Sequence, residues 1–487
     1  MSISTNYNAP DLQSALIAQD ILSWSGSQPI YLSQIEVDGG DKFSKDFFGK
    51  LFYPLLQTQD YTLSQLMNQV FASYQRLVKT DVFKQVDISL NSDFKATVPN
   101  ELSQYNKDKP IPAKVLVKLA PIDLNSGEGF LNFNSQDNLN LKLDYLNNNF
   151  NGNAELVNFG VSYNPYKPNE HLIANAKFLG SLTNPSFKFI IDLLNSYQNN
   201  HSWQHSSTKS TVGSIGLLYS YESLNLFTGI SLAKRGIHDI DRTAPDEIKF
   251  FSGDNMKSSI VNQLRYSNLS YLNIFTRNFP INGFTLAVSN EVSSNQEQEN
   301  LNNKNMFVKS SISLNTFKSF FNNKATAKLD TEIGGIYNPA SNSPVHISDR
   351  FYLGGSESFK GFAKNAINVN GGSQYYKVGL TIYSKLPTFI YAPKGVTAAN
   401  LPLEDKRVYE ANPLRLYGTG LLGNVCNDLL QDRSAALTVG YGLRYFNNWA
   451  NFDIGYYVSK RLGDESSFGL KDGLQFAVSI GGSNKSL

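Results

Sequence analysis

From Leu139 to Ile480, apolar residues keep returning at every second position, and that period restricts the fold more than any other feature of the 487-residue chain. Leu139, Leu141, Leu143 and Tyr145 alternate with Asn140, Lys142 and Asp144. Val157, Phe159, Val161 and Tyr163 alternate with Asn158, Gly160 and Ser162. The pattern is cleanest near the end. There Leu437, Val439, Tyr441, Leu443 and Tyr445 oppose Thr438, Gly440, Gly442 and Arg444, and Phe452, Ile454, Tyr456 and Val458 oppose Asp453, Gly455 and Ser459. Leu474, Phe476, Val478 and Ile480 oppose Gln475, Ala477 and Ser479. Successive strand side chains point to opposite faces, so each stretch is a strand with one apolar and one polar face.

A soluble sandwich also alternates, but three features favour a membrane barrel. The apolar face is almost free of charge, where one Arg or Lys costs about 2–4 kcal/mol at the bilayer midplane. Tyr145, Tyr163 and Tyr445 fall at strand ends, where an interfacial girdle belongs. The opposite face is polar and Gly-rich, which suits a wet lumen. Mean hydropathy is −0.29, and no apolar run reaches the roughly 18 residues of a transmembrane helix. In a barrel wall only every second residue need be apolar.

Candidate strands start near 139, 155, 171, 185, 209, 224, 258, 269, 284, 305, 326, 373, 414, 436, 450 and 473. That makes about sixteen, an even number, and closure is required because an open edge in lipid leaves backbone groups unpaired. Pro280-Ile281-Asn282-Gly283 reads as a turn between two of them. Asn290–Asn303 is polar enough for a solvent loop, and Pro387–Pro413 is a long connection.

The first 120 residues read as an α/β unit of order β-α-α-β-β. Pro29–Val37 is a strand ending at Asp38-Gly39-Gly40. Ser44 can cap a helix carrying Phe48, Leu51, Phe52 and Leu55. Thr62 and Gln65 fit a capping box opening a second helix, with Leu63, Leu66, Met67, Val70, Tyr74 and Leu77 on one stripe. Val86–Leu90 and Ala113–Leu119 are the remaining strands.

Other signals mainly exclude. With 43 basic and 41 acidic side chains, there is no basic excess of the kind a nucleic-acid binder shows. Cys426 is the sole cysteine, so no intramolecular disulfide is possible. Met1–Asp20 has neither a secretory signal pattern nor an Arg-rich transit pattern. No G-x-S-x-G is present, and no enzymatic activity or cofactor is expected. His201 and His205, four apart, have the spacing of a helical metal pair, but their Asn and Ser/Thr neighbours favour a loop, and no metal site is expected. Asn200-His201-Ser202 matches a glycosylation sequon by pattern alone.

The most informative segment lies between the strands starting near 326 and 373. It runs Ser348-Asp349-Arg350-Phe351-Tyr352-Leu353-Gly354-Gly355-Ser356-Glu357-Ser358-Phe359-Lys360-Gly361-Phe362. The Walker spacing G-x-x-x-x-G-K-[ST] is absent, so it is not a phosphate loop. It closely resembles the sixth-loop motif of the BamA-like barrel-assembly superfamily, D-R-F-x-L-G-G followed by V/I-R-G-F/Y, with Lys360 standing where Arg is usual. The N-terminal unit resembles a POTRA module, with Thr80-Asp81-Val82-Phe83 at the place of its G-x-F/D-x-F turn, without the Gly. Lys471, Gly473, Phe476 and Val478 fit the loose β-signal pattern in the final strand.

The resemblance implies a transmembrane β-barrel of about 16 antiparallel strands (122–487) after a tail (1–28) and a POTRA domain (29–121). It implies a lumen loop formed by Asp349, Arg350, Phe351, Leu353, Gly354, Gly355, Phe359, Lys360, Gly361 and Phe362. That loop's basic residue packs on a wall motif like F-x-D-x-G, here expected at Leu416–Gly420 with its acid missing. A lateral gate is implied between a first strand with Leu139, Leu141 and Leu143 and a last strand with Gly473, Leu474, Phe476 and Val478.

A single POTRA unit and the absent signal point to the mitochondrial sorting and assembly branch. The function implied is insertion of β-barrel precursors, such as porin or the translocase pore, into the mitochondrial outer membrane, with the POTRA domain in the intermembrane space. Its partners would be those precursors, accessory subunits and lipid, with no nucleic acid. A bacterial-type assembly protein, a two-partner secretion transporter and a solute porin are the alternatives. An exposed POTRA strand edge would be able to pair with an incoming chain.

Overall fold

The computed structural model describes residues 24–99, 109–135, 139–168, 170–271, 279–297, 304–339, 344–386, 413–447, 449–463 and 467–481. The chain divides into two compact units, one built on the N-terminal segment and one on the barrel.

In the first unit, β1 (Pro29–Asp38) pairs antiparallel with β2 (Asp60–Thr62) and parallel with β4 (Ile111–Pro121), while β3 (Phe83–Ser92) pairs antiparallel with β4. The sheet order is β2-β1-β4-β3. The three-residue β2 is too short for a period to reveal it in sequence. Ser44 caps α1 (Lys45–Leu51), its Oγ accepting from Phe47 N. The helix expected to run through Leu55 breaks at Phe52 and resumes as α2 (Tyr53–Leu56), because Pro54 lacks an N–H and belongs in a first turn. Thr62 and Gln65 form the capping box of α3 (Leu63–Val78). Leu66 and Leu77 are fully buried against Leu51, Leu55, Val115 and Val117, whereas Met67 and Tyr74 face outward, so the apolar stripe read from sequence was too wide.

The second unit is a closed barrel of sixteen strands. They are β5 (Asn125–Asn134), β6 (Leu139–Asn147), β7 (Leu156–Tyr163), β8 (His171–Ser181), β9 (Phe187–Asn199), β10 (Ser207–Tyr221), β11 (Leu224–His238) and β12 (Gly253–Tyr271). The second half is β13 (Pro280–Glu297), β14 (Lys304–Phe320), β15 (Ala325–Tyr337), β16 (Gln374–Lys385), β17 (Leu414–Cys426), β18 (Ala435–Phe446), β19 (Ala450–Leu462) and β20 (Gly473–Gly481). Each strand neighbours the next, and β20 returns antiparallel to β5. Alternation behaves as expected, with Val439, Tyr441, Ile454 and Val458 exposed outward and Thr438, Ser459 and Gln475 buried inward.

The expected number of strands is correct because two errors cancel. The strands expected near 258 and 269 are one, the 19-residue β12. The true first strand, β5, was missed because Gly127, Glu128 and Gly129 interrupt its alternation. Asn290–Glu297, expected in a solvent loop, completes β13, in backbone register with β12 and, as far as Gln296, with β14. Most of the Pro387–Pro413 connection lies outside the described residues.

Candidate functional site

Relocating the first strand moves the seam. Leu139, Leu141 and Leu143 lie on β6, one strand away from the closure, so they are not gate residues of the first strand. The closure pairs Phe130–Asn134 of β5 with Gly481–Ala477 of β20, five residue pairs in all. Ser135 N extends it by one bond to Phe476 O at 2.9 Å, and the Phe133 and Phe476 rings sit 5.3 Å apart beside it. β19 pairs with β20 from Ala450–Ile480 to Tyr457–Gly473. Gly473 to Gln475 therefore have a β19 partner and, among the described residues, no β5 partner. Gly473, Leu474, Phe476 and Val478 do lie on this last strand. Lys471 precedes it, outside the ladder.

The motif between β15 and β16 folds onto inward-facing residues of the wall. A 3-10 turn, Ile347–Asp349, opens it, with His346 Nδ1 accepting from Ser348 N at 3.2 Å. Asp349 is gripped by both Arg235 guanidinium nitrogens at 2.6 Å and by Lys257 Nζ at 2.9 Å, while Lys309 donates to its carbonyl at 2.7 Å. Burial pushes the Asp349 carboxyl up, but Arg235 and Lys257 outweigh that and hold it below the usual carboxylate range. Arg350 bonds Val345 O and Asn370 O and pairs at 2.5 Å with Glu247, on the short helix α5 (Asp246–Phe250), which follows α4 (His201–Gln204) in the chain.

Phe351 lies against Tyr375 at 4.5 Å. Leu353, Phe359 and Phe362 are buried with Leu421, Val425 and Ala436 of β17 and β18, giving the loop a small core shared with the wall. Gly354 and Gly355 take φ of +129° and +103°, which only glycine adopts without strain. Gly361, at φ +87°, packs so tightly that a Cβ would overlap Ser459 Oγ and stand 2.7 Å from Thr438 Cγ2.

The expectation that the wall lacks its acid is overturned. Lys360 Nζ pairs with Asp453 of β19 at 2.8 Å and donates to Tyr457 OH at 3.0 Å. Tyr417 OH donates to the other Asp453 oxygen at 2.6 Å and meets Tyr457 OH at 2.5 Å. Leu416–Gly420 contributes Tyr417, while Gly418, aligned with the motif's acid, is on the outward face. The signal was present two strands on, where Asp453-Ile454-Gly455 keeps the D-x-G spacing directly after Phe452. Burial lowers the Lys360 pKa, but Asp453 and Tyr457 outweigh it and hold the ammonium above its ordinary value.

The loop also bonds the last strand. Gly361 N donates to Gln475 Oε1 at 3.3 Å, Lys471 N donates to Gly361 O at 2.9 Å, and Gln475 Nε2 returns to Lys471 O at 2.8 Å. Gln475, Asp453, Tyr457, Arg235 and Lys257 were not singled out in sequence, because an inward polar residue in any barrel strand looks the same there. His201 is on a helix after all, α4, and its Nδ1 and that of His205 turn to Asp241 Oδ2 at 3.1 and 3.7 Å. Asn200 of the sequon is buried, with its amide bonded to Thr208 and Trp203.

Comparisons with known proteins agree with this geometry. The Omp85 superfamily domain matches residues 125–397, more than half of the chain. The Sorting assembly machinery 50 kDa subunit of Saccharomyces cerevisiae is 25% identical over 210 residues, covering 41% of this chain and 39% of that protein. The human Sorting and assembly machinery component 50 homolog is 25% identical over 341 residues, covering 67% of this chain and 65% of that protein. The chain thus spans less than two thirds of the length of these relatives.

Among solved structures, BamA from Haemophilus ducreyi lacking POTRA domains 1–3 superposes with a TM-score of 0.71 at 13% identity, covering 99% of this chain and 95% of that one. CdiB from Acinetobacter baumannii gives 0.54 at 15%, covering 97% and 82%. At such identities the likeness is one of fold. A closed sixteen-strand barrel, the D-R-F-x-L-G-G loop folded onto its inner wall and the domain match together place the chain in the Omp85 superfamily.

Proposed function

We propose that this protein is an insertase for β-barrel precursors in the mitochondrial outer membrane, working at the β5–β20 seam without covalent chemistry. The observation that carries the reading is the seam itself. Five residue pairs close it, fewer than at any other junction between barrel strands for which the register is described, and among the described residues Gly473 to Gln475 of β20 have no β5 partner. A strand entering lipid must have its N–H and C=O groups satisfied. An openable edge lets an incoming strand exchange hydrogen bonds with β20 rather than leave them unmade. The relatives named for a sorting and assembly machinery support this reading, and the precursor substrates, accessory subunits and mitochondrial location are part of the proposal. The POTRA-type unit is assigned to the intermembrane space, where its free sheet edge meets precursors.

The test is a lock. Leu131 and Ile480 are register partners on the outward face of the seam. Leu131→Cys with Ile480→Cys, in a Cys426→Ala background, is oxidised and offered newly made barrel precursor. Insertion is expected to stop and to return on reduction. Insertion at the wild-type rate through a fully crosslinked seam sinks the gate. Depletion separates the rivals, since loss of a solute porin leaves other barrels in the membrane.

A further inference from the structure

Helix α3 of the N-terminal unit is apolar on two sides. One side buries Leu66 and Leu77 against the sheet, with Val70 packed beside them. On the other, Met67, Phe71, Tyr74 and Val78 recur at i, i+4, i+7 and i+11 and form a separate stripe. That stripe is open: Phe71 is 59% exposed, and Met67, Tyr74 and Val78 are between 38% and 47% exposed. The Phe71 and Tyr74 rings stack on it, 6.5 Å apart. Arg76 is the one charged residue in the helix. At about 100° per residue it stands opposite the stripe, and it donates to Lys50 O at 3.2 Å. A helix face in water ordinarily carries charge, so four large apolar side chains in a row mark a surface that something covers.

The course of the chain points to the cover. The described residues begin at Trp24. The stretch that follows is pinned to the first turn of α3, where Ser64 N donates to Gly26 O at 3.1 Å and Leu63 N to Gln28 O at 3.0 Å. Met67 stands one turn further along. The chain before Trp24 therefore joins the unit at the end where the stripe begins. Asp11–Leu22 of that segment reads Asp-Leu-Gln-Ser-Ala-Leu-Ile-Ala-Gln-Asp-Ile-Leu, and seven of these twelve residues are Ala, Leu or Ile. From Met67 to Val78 the helix rises about 17 Å, and twelve residues in helical form cover about 18 Å. An anionic membrane surface fits less well. Met1–Ser23 contains no Lys or Arg and α3 has one cation, on its far side, whereas helices that lie on membranes carry a basic polar face.

We propose that Asp11–Leu22 packs along Met67, Phe71, Tyr74 and Val78, antiparallel to α3, as an intramolecular cover of this face. Leu12, Leu16, Ile17, Ile21 and Leu22 supply the apolar contact, and removal of both surfaces from water drives it. The link from Leu22 to the pinned Gly26 is short. Such a tether presents the segment at an effective concentration on the order of millimolar, so a weak contact suffices.

The full chain, folded in non-ionic detergent in a Cys426→Ala background, tests this in two ways. Phe71→Cys is combined in turn with Leu16→Cys, Ile17→Cys and Ile21→Cys under mild oxidation. At least one pair is expected to close within a single chain, about tenfold faster than when Ala72→Cys, off the stripe, replaces Phe71→Cys. Separately, the maleimide alkylation rate of Phe71→Cys alone is compared with and without Leu16→Ser, Ile17→Ser and Ile21→Ser. Those three changes lie outside the core of the folded unit and are expected to speed alkylation by about tenfold. The proposal is overturned if no pair closes within one chain, or if alkylation ignores the segment. Disulfides formed only between chains, in mixtures of single-cysteine variants, overturn it in favour of a second copy. Protection of Phe71→Cys that needs anionic lipid in the micelle and not the segment overturns it in favour of a membrane surface.

Discussion

Gly361 of the lumen loop donates its N–H to the side chain of Gln475 in the last strand, and that side chain in turn holds the carbonyl of Lys471, whose own N–H bonds back to Gly361. Two hydrogen bonds therefore tie Gly361 to the closing segment, one to Gln475 of β20 and one to Lys471 just before it, and the Gln475–Lys471 bond joins those two anchors. The tie lies where β20, among the described residues, has no β5 partner. Loop position and seam geometry are mechanically one unit here, and each is a readout of the other.

Gln475→Ala is expected to release the loop without unfolding the barrel. It leaves Gly361 N and Lys471 O without their buried partner, a penalty of roughly 1–3 kcal/mol, or about 5- to 150-fold in the ratio of docked to released loop. A spin label at Glu357→Cys in a Cys426→Ala background reports that ratio, since Glu357 is exposed. Higher label mobility with unchanged strand content is the expected result. Unchanged mobility means that Gln475 does not hold the loop.

Lys360 and Asp453 should behave as a coupled pair. Removing one member of a buried ion pair leaves the other charge uncompensated, at about 3–5 kcal/mol in full burial and less here, where both side chains keep some exposure. Lys360→Met and Asp453→Asn are each expected to lower the temperature at which the barrel loses its folded gel mobility. The double variant should lose less than the sum, and Lys360→Arg should be nearly neutral because a guanidinium can span the same two oxygens. Strict additivity of the two single effects rules out the pairing as the cause.

Most of the fold was legible because lipid imposes a period-two code that strands must obey. The lumen loop was legible through its resemblance to the D-R-F-x-L-G-G motif, whose Gly354 and Gly355 take backbone angles that other residues resist. What was missed has a common origin. β5 carries Gly127 and Gly129, which break the alternation without breaking the ladder, and so the alternation puts the first strand at Leu139, one strand beyond the β5–β20 closure. Asp453 lies two strands beyond Leu416–Gly420, and only the closed wall brings it within reach of the Lys360 ammonium. Gln475 carries no local mark at all. Its role exists only because chain closure brings β20 beside the loop.

The loop's anchors titrate, and the direction follows from the ring of His346. His346 is buried beside Arg235, Arg350, Lys257, Asp349 and the Phe251 ring. Burial first, then the Arg235 charge, push its pKa down from 6.5 to about 3. A released loop therefore binds a proton at 6.5 that the docked loop refuses until about 3. Docking is at full strength above 6.5 and weakens by about tenfold per pH unit below it. Asp349, with its carboxyl held below 3.8, adds stability that disappears only in stronger acid. Lys360, held above 10.5, contributes fully until the medium is more alkaline than that. Label mobility at Glu357→Cys is thus expected to be flat from about pH 7 to 9 and to rise steadily from about pH 6 to 4. His346→Asn keeps an acceptor for Ser348 N but no titrating ring, and it should flatten the acid limb. An acid limb unchanged by that substitution assigns the transition to another group.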